Sequence, residues 1–147
     1  MAGTGPYLQV LKQDVVKYKL DSIVKLKGFI PDDKLAMFYS SLDLFILMTR
    51  ESKTSANVEG FGLVFLEAQS SGVPVIGTNT GGIPSAIEHK NGVWLIGQDD
   101  KKELLILLKK IINNKIILES QGVKARNRVL RKCTWDEYNE KLFKLLR

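Results

Sequence analysis

Short apolar runs alternate along this chain with longer segments in which apolar residues recur every three or four positions. The short runs are typical of buried strands, and the longer segments of helices with one buried face. Predicted strands cover residues 23–26, 43–48, 73–76 and 92–96, and predicted helices start near Leu8, Asp32, Gly62, Asp100, Ile116 and Thr134. Such alternation favours a parallel sheet with helices on both faces and binding loops at the carboxyl ends of its strands. The pattern therefore predicts an α/β fold with a Rossmann-like sheet.

Capping signals support several of these helix starts. Asp32 or Asp33 can cap the second helix. Asp99 and Asp100 signal the start of the helix that carries Leu104, and Thr134 forms a capping box with Glu137. The predicted inward-facing residues are Leu35, Phe38 and Leu42 on the second helix, and Trp135, Leu142, Phe143 and Leu146 on the last. These positions define the predicted core contacts of both helices.

Two glutamates flank a glycine pair in the segment VEGFGLVFLEAQSSGVP. Glu59 and Glu67 are separated by seven residues, and Gly60 and Gly62 follow the first glutamate. The first N–H groups of a helix lack partners and carry the positive end of its dipole, so a phosphate fits there and glycines let it approach. Glu67 lies about 7 to 8 Å along the axis from Gly62. Carboxylates accept hydrogen bonds from hydroxyls and repel phosphate, so they suit the sugar and the ribose of a sugar nucleotide.

With these residues the chain resembles glycosyltransferase family 4, the retaining enzymes of GT-B fold that carry an E-x7-E motif. Further landmarks in the family's order are GTGP at residues 3–6, VKLKGFIPDDKLAMFYSSLDLFIL, SGVPVIGTNTGGIPSAI and Thr134 with Trp135. The resemblance covers nearly the whole chain. The chain departs from the family at Ser85, where an acidic residue is common, and Glu88 could cap or pair instead.

The resemblance implies a role for each motif residue. It makes Glu59 the catalytic residue, in contact with hydroxyls of the donor sugar, and it assigns Glu67 to the ribose. The other implied donor-binding residues are Gly60, Phe61 and Gly62 at the sugar, Leu63 and Val64 at the phosphate, Ile30 and Asp32 near the base, and Gly81 and Gly82 at the ligand edge. A purely capping role for Asp32 stays open. The family needs no metal, and the substrate would be a UDP-, GDP- or ADP-sugar rather than a cofactor.

The GTGP loop begins almost at the first residue, whereas in the family it follows about the second strand of the C-terminal domain. The resemblance therefore implies that residues 1–147 are the C-terminal nucleotide-sugar-binding half of a GT-B fold, truncated at its N-terminus and lacking the acceptor domain. The expected partners are a nucleotide-sugar donor, a glycan or lipid-linked acceptor and the missing N-terminal domain, toward which part of the apolar face of the last helix could be directed. The polar loop 49–58 is similar to that of mannosyltransferases of the phosphatidylinositol mannoside type, and its Arg50 and Lys53 could meet phosphate, acceptor or water.

Composition fits one globular domain, with 44% hydrophobic and 26% charged residues among 147. We expect a cytoplasmic protein, since no membrane span or signal peptide is visible. From Lys101 onward there are thirteen basic and five acidic residues, against nine and eleven before it. This charge suits solvated helix faces or peripheral contact with an anionic membrane, whereas nucleic acid is disfavoured because aromatic interleaving and a recognition helix are missing. Cys133 and His89 are single residues of their kinds and offer no metal cluster.

The predicted function is the transfer of a hexose, such as mannose or glucose, from a nucleotide sugar with retention of configuration. Two alternatives stay open: a nucleotide-binding module without catalysis, and a GT-B relative such as a sugar-nucleotide epimerase. The intact E-x7-E motif with its two glycine pairs favours transfer. By itself, the chain is expected to be inactive, because its acceptor side would be missing.

Overall fold

The structure, a computed structural model, describes residues 1–51, 59–88 and 92–146. Its elements, in chain order, are α1 Leu8–Lys17, α2 Asp32–Ser40, β1 Phe45–Leu47, α3 Leu63–Ser70, β2 Val75–Thr78, α4 Ile83–Ala86, β3 Val93–Ile96, α5 Lys101–Ile112, α6 Lys115–Lys132 and α7 Trp135–Leu145. The chain divides into two compact units, Met1–Phe38 and Tyr39–Arg147.

The second unit contains a parallel three-stranded sheet in the order β1-β2-β3. Helices pack on both of its faces, and neighbouring residues of β2 show this directly. Ile76 belongs to a buried cluster with Ile111 of α5, whereas Gly77 faces Phe65 of α3. A Cβ on Gly77 would lie 3.0 Å from the Phe65 ring, so the glycine lets α3 approach the sheet closely. The predicted α/β fold with helices on both faces is therefore confirmed.

In the first unit, the predicted strand at residues 23–26 is wrong. The N–H groups of Ile23 and Val24 both donate to the Leu20 carbonyl oxygen, and Ile23 is 76% exposed. These bonds close a turn, and the extended chain after it runs beside the first residues. There the Lys27 N–H donates to the Met1 carbonyl oxygen at 2.8 Å. The apolar run was too short to fix its own structure, and the turn bonds decided it.

The helix starts near the C-terminus follow the sequence. The Asp100 side chain accepts a hydrogen bond from the Glu103 N–H at 2.8 Å, and Thr134 accepts one from the Glu137 N–H at 3.3 Å. The predicted packing of α7, however, is wrong: its apolar residues are exposed. The exposed fractions are 80% for Trp135, 41% for Leu142, 67% for Phe143 and 73% for Leu146. Cys133, at the end of α6, is half-buried.

The buried face of α2 differs from the predicted one by one position. On α2 the buried residue is Tyr39, which is 5% exposed, while Leu35 and Phe38 are half-buried. Leu42 lies beyond the end of α2. Among the described residues, no helix is long and apolar enough to cross a membrane.

Candidate functional site

Loops that follow the three parallel strands are bonded to one another at the carboxyl edge of the sheet. The Thr78 hydroxyl at the end of β2 donates to the Thr49 carbonyl oxygen at 2.7 Å. The Gln98 amide bonds both backbone groups of Glu51, at 2.8 and 3.1 Å. Arg50 pairs with Asp99. This network fixes the loops at the edge where α/β sheets bind ligands.

The two glycine-containing motifs meet at this edge. The Gly82 N–H donates to the Glu59 carbonyl oxygen at 3.0 Å. A Cβ on Gly82 would overlap the Gly60 carbonyl oxygen and lie 2.7 Å from its carbonyl carbon. Gly82 therefore has no side chain because the Glu59–Gly60 backbone occupies that space. Its N–H is already bonded within the protein, while Gly60 and Gly81 are exposed at the surface of the joined loops.

The predicted helix after the first glutamate is confirmed and begins at Leu63. Gly62 precedes it in the left-handed conformation, with φ of 81°, which glycine adopts without strain. A Cβ on Gly62 would come within 2.8 Å of the Phe65 ring, so the same glycine admits a buried aromatic side chain below the loop. Phe61, in contrast, is 42% exposed.

The first turn of α3 presents donors without a side-chain cap. Gly62 has no side chain to cap them, and the N–H groups of Leu63 and Val64 find no acceptor within the described ranges. Such groups carry the positive end of the helix dipole and suit an anion. Glu67 lies one turn further along the same helix and is exposed. The structure thus brings together Glu59 to Val64, Glu67 and the Gly81–Gly82 pair. Their contact with a donor stays a prediction.

One residue of the site was missed by sequence reasoning. The Tyr39 hydroxyl donates a hydrogen bond to Oε2 of Glu67 at 2.9 Å. Burial raises the pKa of Tyr39 above its usual value, and the hydrogen bond and negative charge of Glu67 raise it further. The available signal was its helical spacing from Leu35, four residues earlier, which places both on one side of α2. That signal marks a buried face but does not identify a partner.

Ile30 and Asp32, the residues predicted near the base, belong to the first unit. Ile30 is half-buried, and Asp32 is the first residue of α2. Their contact with a nucleotide stays a prediction. Lys53 and His89 lie outside the described residues, as does most of loop 49–58.

Glu88 was expected either to cap a helix or to form an ion pair, and in the structure it forms ion pairs with α6. Its Oε2 lies 3.5 Å from Nε of Arg128 and 3.4 Å from Nζ of Lys132. Arg128 also donates to the Gln69 side chain at 3.2 Å and to the Ala86 carbonyl oxygen at 2.8 Å. It therefore ties α6 to the ends of both site helices, α3 and α4. No group of three or more possible metal-ligating side chains is present in the described part of the chain.

A parallel α/β domain with glycine loops and a free helix start at its carboxyl edge defines a class of ligand-binding domain. The sequence specifies the family. Residues 1–128 match the family model of glycosyl transferases group 1, so the chain belongs to that family. It is 32% identical to the GDP-mannose-dependent alpha-(1-6)-phosphatidylinositol monomannoside mannosyltransferase of Mycobacterium tuberculosis, over 154 aligned residues. The match covers 100% of this chain and 38% of that enzyme's length.

Solved structures of glycosyltransferases share the fold. The HepE protein of Anabaena, in complex with UDP and glucose, matches with a TM-score of 0.80 at 23% identity, over 99% of this chain and 39% of HepE. The C-terminal domain of a glycosyl transferase group 1 family protein, LpcC of Francisella tularensis, matches with a TM-score of 0.72 at 24% identity. That match covers 90% of this chain and 66% of the domain. The predicted family and GT-B fold are thus confirmed.

Proposed function

We propose that this chain binds the donor of a glycosyl transfer, a nucleoside-diphosphate sugar, and that the transfer proceeds with retention of configuration. One observation carries the proposal. The Glu59–Gly60 loop is joined to Gly82, and both lie at a helix whose first N–H groups have no acceptor among the described residues and whose Glu67 carboxylate is exposed. Donors for phosphate and acceptors for hydroxyls are thereby combined on one short piece of chain.

The proposed roles follow the chemistry of these groups. The N–H groups of Leu63 and Val64 donate to the diphosphate, which the dipole of α3 also favours. Glu67 accepts hydrogen bonds from the ribose hydroxyls, and Glu59 from those of the donor sugar, because carboxylates only accept. Gly60 and Gly81 let the sugar approach the backbone. Ile30 and Asp32 are proposed to lie near the base.

Catalysis in this proposal depends on placement and on charge. Amides that hold the diphosphate stabilise the charge that grows on it as the sugar departs. We propose that no metal or cofactor takes part, since backbone donors supply the positive potential. Residues 1–147 would form the donor-binding domain, and the acceptor, a glycan or lipid-linked sugar, would bind largely elsewhere. The greater length of the Mycobacterium tuberculosis relative supports this division.

Thermal unfolding with a panel of ligands tests the proposal. GDP-mannose comes first, because the relative is named for its dependence on it; UDP-glucose, ADP-glucose and the bare diphosphates complete the panel. A ligand at a hundred times its Kd should stabilise the fold by about 2.7 kcal/mol. A sugar nucleotide should raise the melting temperature more than its bare diphosphate does. Equal shifts would favour a nucleotide-binding module without catalysis, and no shift with any ligand would overturn the proposal.

A matched variant locates the site. Glu67→Ala should weaken binding of the nucleoside diphosphate by about 1.5 to 3 kcal/mol, because the ribose loses a hydrogen bond to a charged group. Glu140→Ala, which removes an exposed glutamate from α7, is the control and should leave affinity unchanged. Unchanged affinity in Glu67→Ala, measured by calorimetry, would exclude the ribose role.

A further inference from the structure

Tyr39 and Glu67 form a hydrogen-bonded pair in which one partner is buried and the other is exposed. The hydroxyl lies 2.9 Å from Oε2 of Glu67, and Tyr39 is 5% exposed. The pair joins Tyr39 to α3 across 28 residues of sequence, and both residues belong to the second unit. A buried donor thus holds one oxygen of a carboxylate whose side chain is open to solvent.

Aromatic packing fixes the position of the phenol. The Tyr39 ring meets the Phe45 ring edge to face, with centroids 5.7 Å apart. Phe45 in turn meets Phe65 in the same way, at 5.6 Å. Phe65 is fully buried and lies two residues before Glu67 on α3. The rings therefore connect Tyr39, β1 and α3 within the second unit, and the hydroxyl is held relative to the helix that carries Glu67.

We infer that Tyr39 is a positioning residue for ribose recognition: its hydroxyl holds Oε2 of Glu67 and leaves Oε1 to accept hydrogen bonds from the ribose diol. This inference rests on the proposed function of Glu67. A carboxylate has about four acceptor sites, so one bond to Tyr39 leaves capacity for two hydroxyls. Without the hydrogen bond to Tyr39, the Glu67 side chain would lose rotamer freedom when the ligand binds. With it, that freedom is already lost on folding, so binding costs less conformational entropy.

The direction of the hydrogen bond supports the assignment. Glu67 can only accept while it is ionised, so the phenol must remain protonated to hold it. The raised pKa of Tyr39 keeps that proton in place throughout the physiological range. The arrangement therefore holds the same acceptor geometry wherever Glu67 is charged.

The test compares nucleotides that have the ribose diol with nucleotides that lack it. The full 147-residue chain is titrated with UDP, GDP and ADP and with their 2′,3′-dideoxy counterparts. Tyr39→Phe should weaken binding of whichever ribonucleotide binds by about five- to tenfold, the scale of one net hydrogen bond. It should leave the affinity for the dideoxy counterpart unchanged. A merely structural tyrosine would weaken both ligands alike, and that result would overturn the inference.

Three further variants complete the design. The double variant Tyr39→Phe with Glu67→Ala should bind no more weakly than Glu67→Ala, because Tyr39 acts only through that carboxylate. Tyr138→Phe in α7 is the matched control and should change neither affinity. If Tyr39→Phe is too unstable to titrate, Phe45→Leu, which removes the ring against which the phenol packs, should give the same diol-dependent loss. A uniform loss would again contradict the inference.

The outcomes separate this inference from the proposed function. If Glu67→Ala weakens binding while Tyr39→Phe does not, the positioning role falls and the donor site stands. If the wild-type chain binds none of the six nucleotides, this inference falls, and the proposed function falls with it only if no sugar nucleotide binds either. A loss confined to the diol nucleotides, in both single variants, supports both.

Discussion

The backbone N–H of Gly82 donates a hydrogen bond to the carbonyl oxygen of Glu59 at 3.0 Å, so the two glycine-containing motifs form one structure. The Gly60 carbonyl group fills the space that a side chain on Gly82 would need. Gly81, the other member of the pair, has φ of 53° and is exposed. The two adjacent glycines therefore differ: Gly82 joins the loops, and Gly81 is exposed at their surface.

Gly82→Ala should destabilise the protein by about 1 to 3 kcal/mol, the usual cost of inserting a methyl group into a packed site. The cause is contact alone, because φ at Gly82 is −82°, which alanine adopts freely. Denaturant unfolding measures the loss. Gly97→Ala is the control, because a Cβ on Gly97 would meet nothing closer than 3.7 Å. The stability of this variant should equal that of the wild type. Equal stability of the two variants would contradict the packing argument.

Gly62→Ala combines two costs that a second glycine can separate. Residue 62 has φ of 81°, and a Cβ there would lie 2.8 Å from the Phe65 ring. Gly28 has φ of 65° but no atom within 4 Å of its Cβ position. Gly28→Ala should therefore lose only the conformational term, about 1 to 2 kcal/mol. Gly62→Ala should lose more stability than Gly28→Ala in thermal or denaturant unfolding. A loss no greater than that of Gly28→Ala would show that the Phe65 ring moves aside without cost.

The burial of Tyr39 should make the free energy of unfolding decrease at alkaline pH. Its pKa is raised in the folded state, so the unfolded chain gives up the proton first, near pH 10. Stability from this residue is complete below about pH 10 and falls as pH rises toward the folded pKa, by about 1.4 kcal/mol per pH unit. Because lysines also titrate there, the measurement is the difference in unfolding free energy between the wild type and Tyr39→Phe from pH 9 to 11. This difference should shrink as the pH rises, and a difference that stays constant would contradict the raised pKa of the phenol.

Arg128→Lys should destabilise the protein by about 1.5 to 3 kcal/mol, because a single ammonium cannot replace a planar guanidinium that reaches several acceptors. The side chain of Arg128 is 10% exposed and reaches Gln69, Ala86 and Glu88. Gln69 is itself fully buried, so its amide would lose a partner away from water. Arg131→Lys, on an exposed position of the same helix, is the control and should change stability little. Equal melting temperatures for both variants would show that the guanidinium contacts contribute nothing net.

Local features of the sequence predicted local features of the structure. Helical spacing located α3, and the side chains of Asp100 and Thr134 cap the helices that they were expected to cap. These effects act between residues three or four positions apart, so a single sequence contains all that they need. The strand predicted at residues 23–26 is wrong because a pattern of four residues is too short to outweigh other local bonds. There the N–H groups of Ile23 and Val24 form a turn with the Leu20 carbonyl oxygen.

The sequence by itself determined the α/β fold class, the helix that carries Glu67, the glycine motifs and the glycosyl transferases group 1 family. The tertiary structure decided which glycine is structural, that Tyr39 holds Glu67, and that Trp135 and Phe143 stay exposed. Spacing can show that a residue shares a face with its neighbours, but it cannot show what lies opposite that face. The partner is set by packing between segments far apart in the chain, which no local pattern encodes.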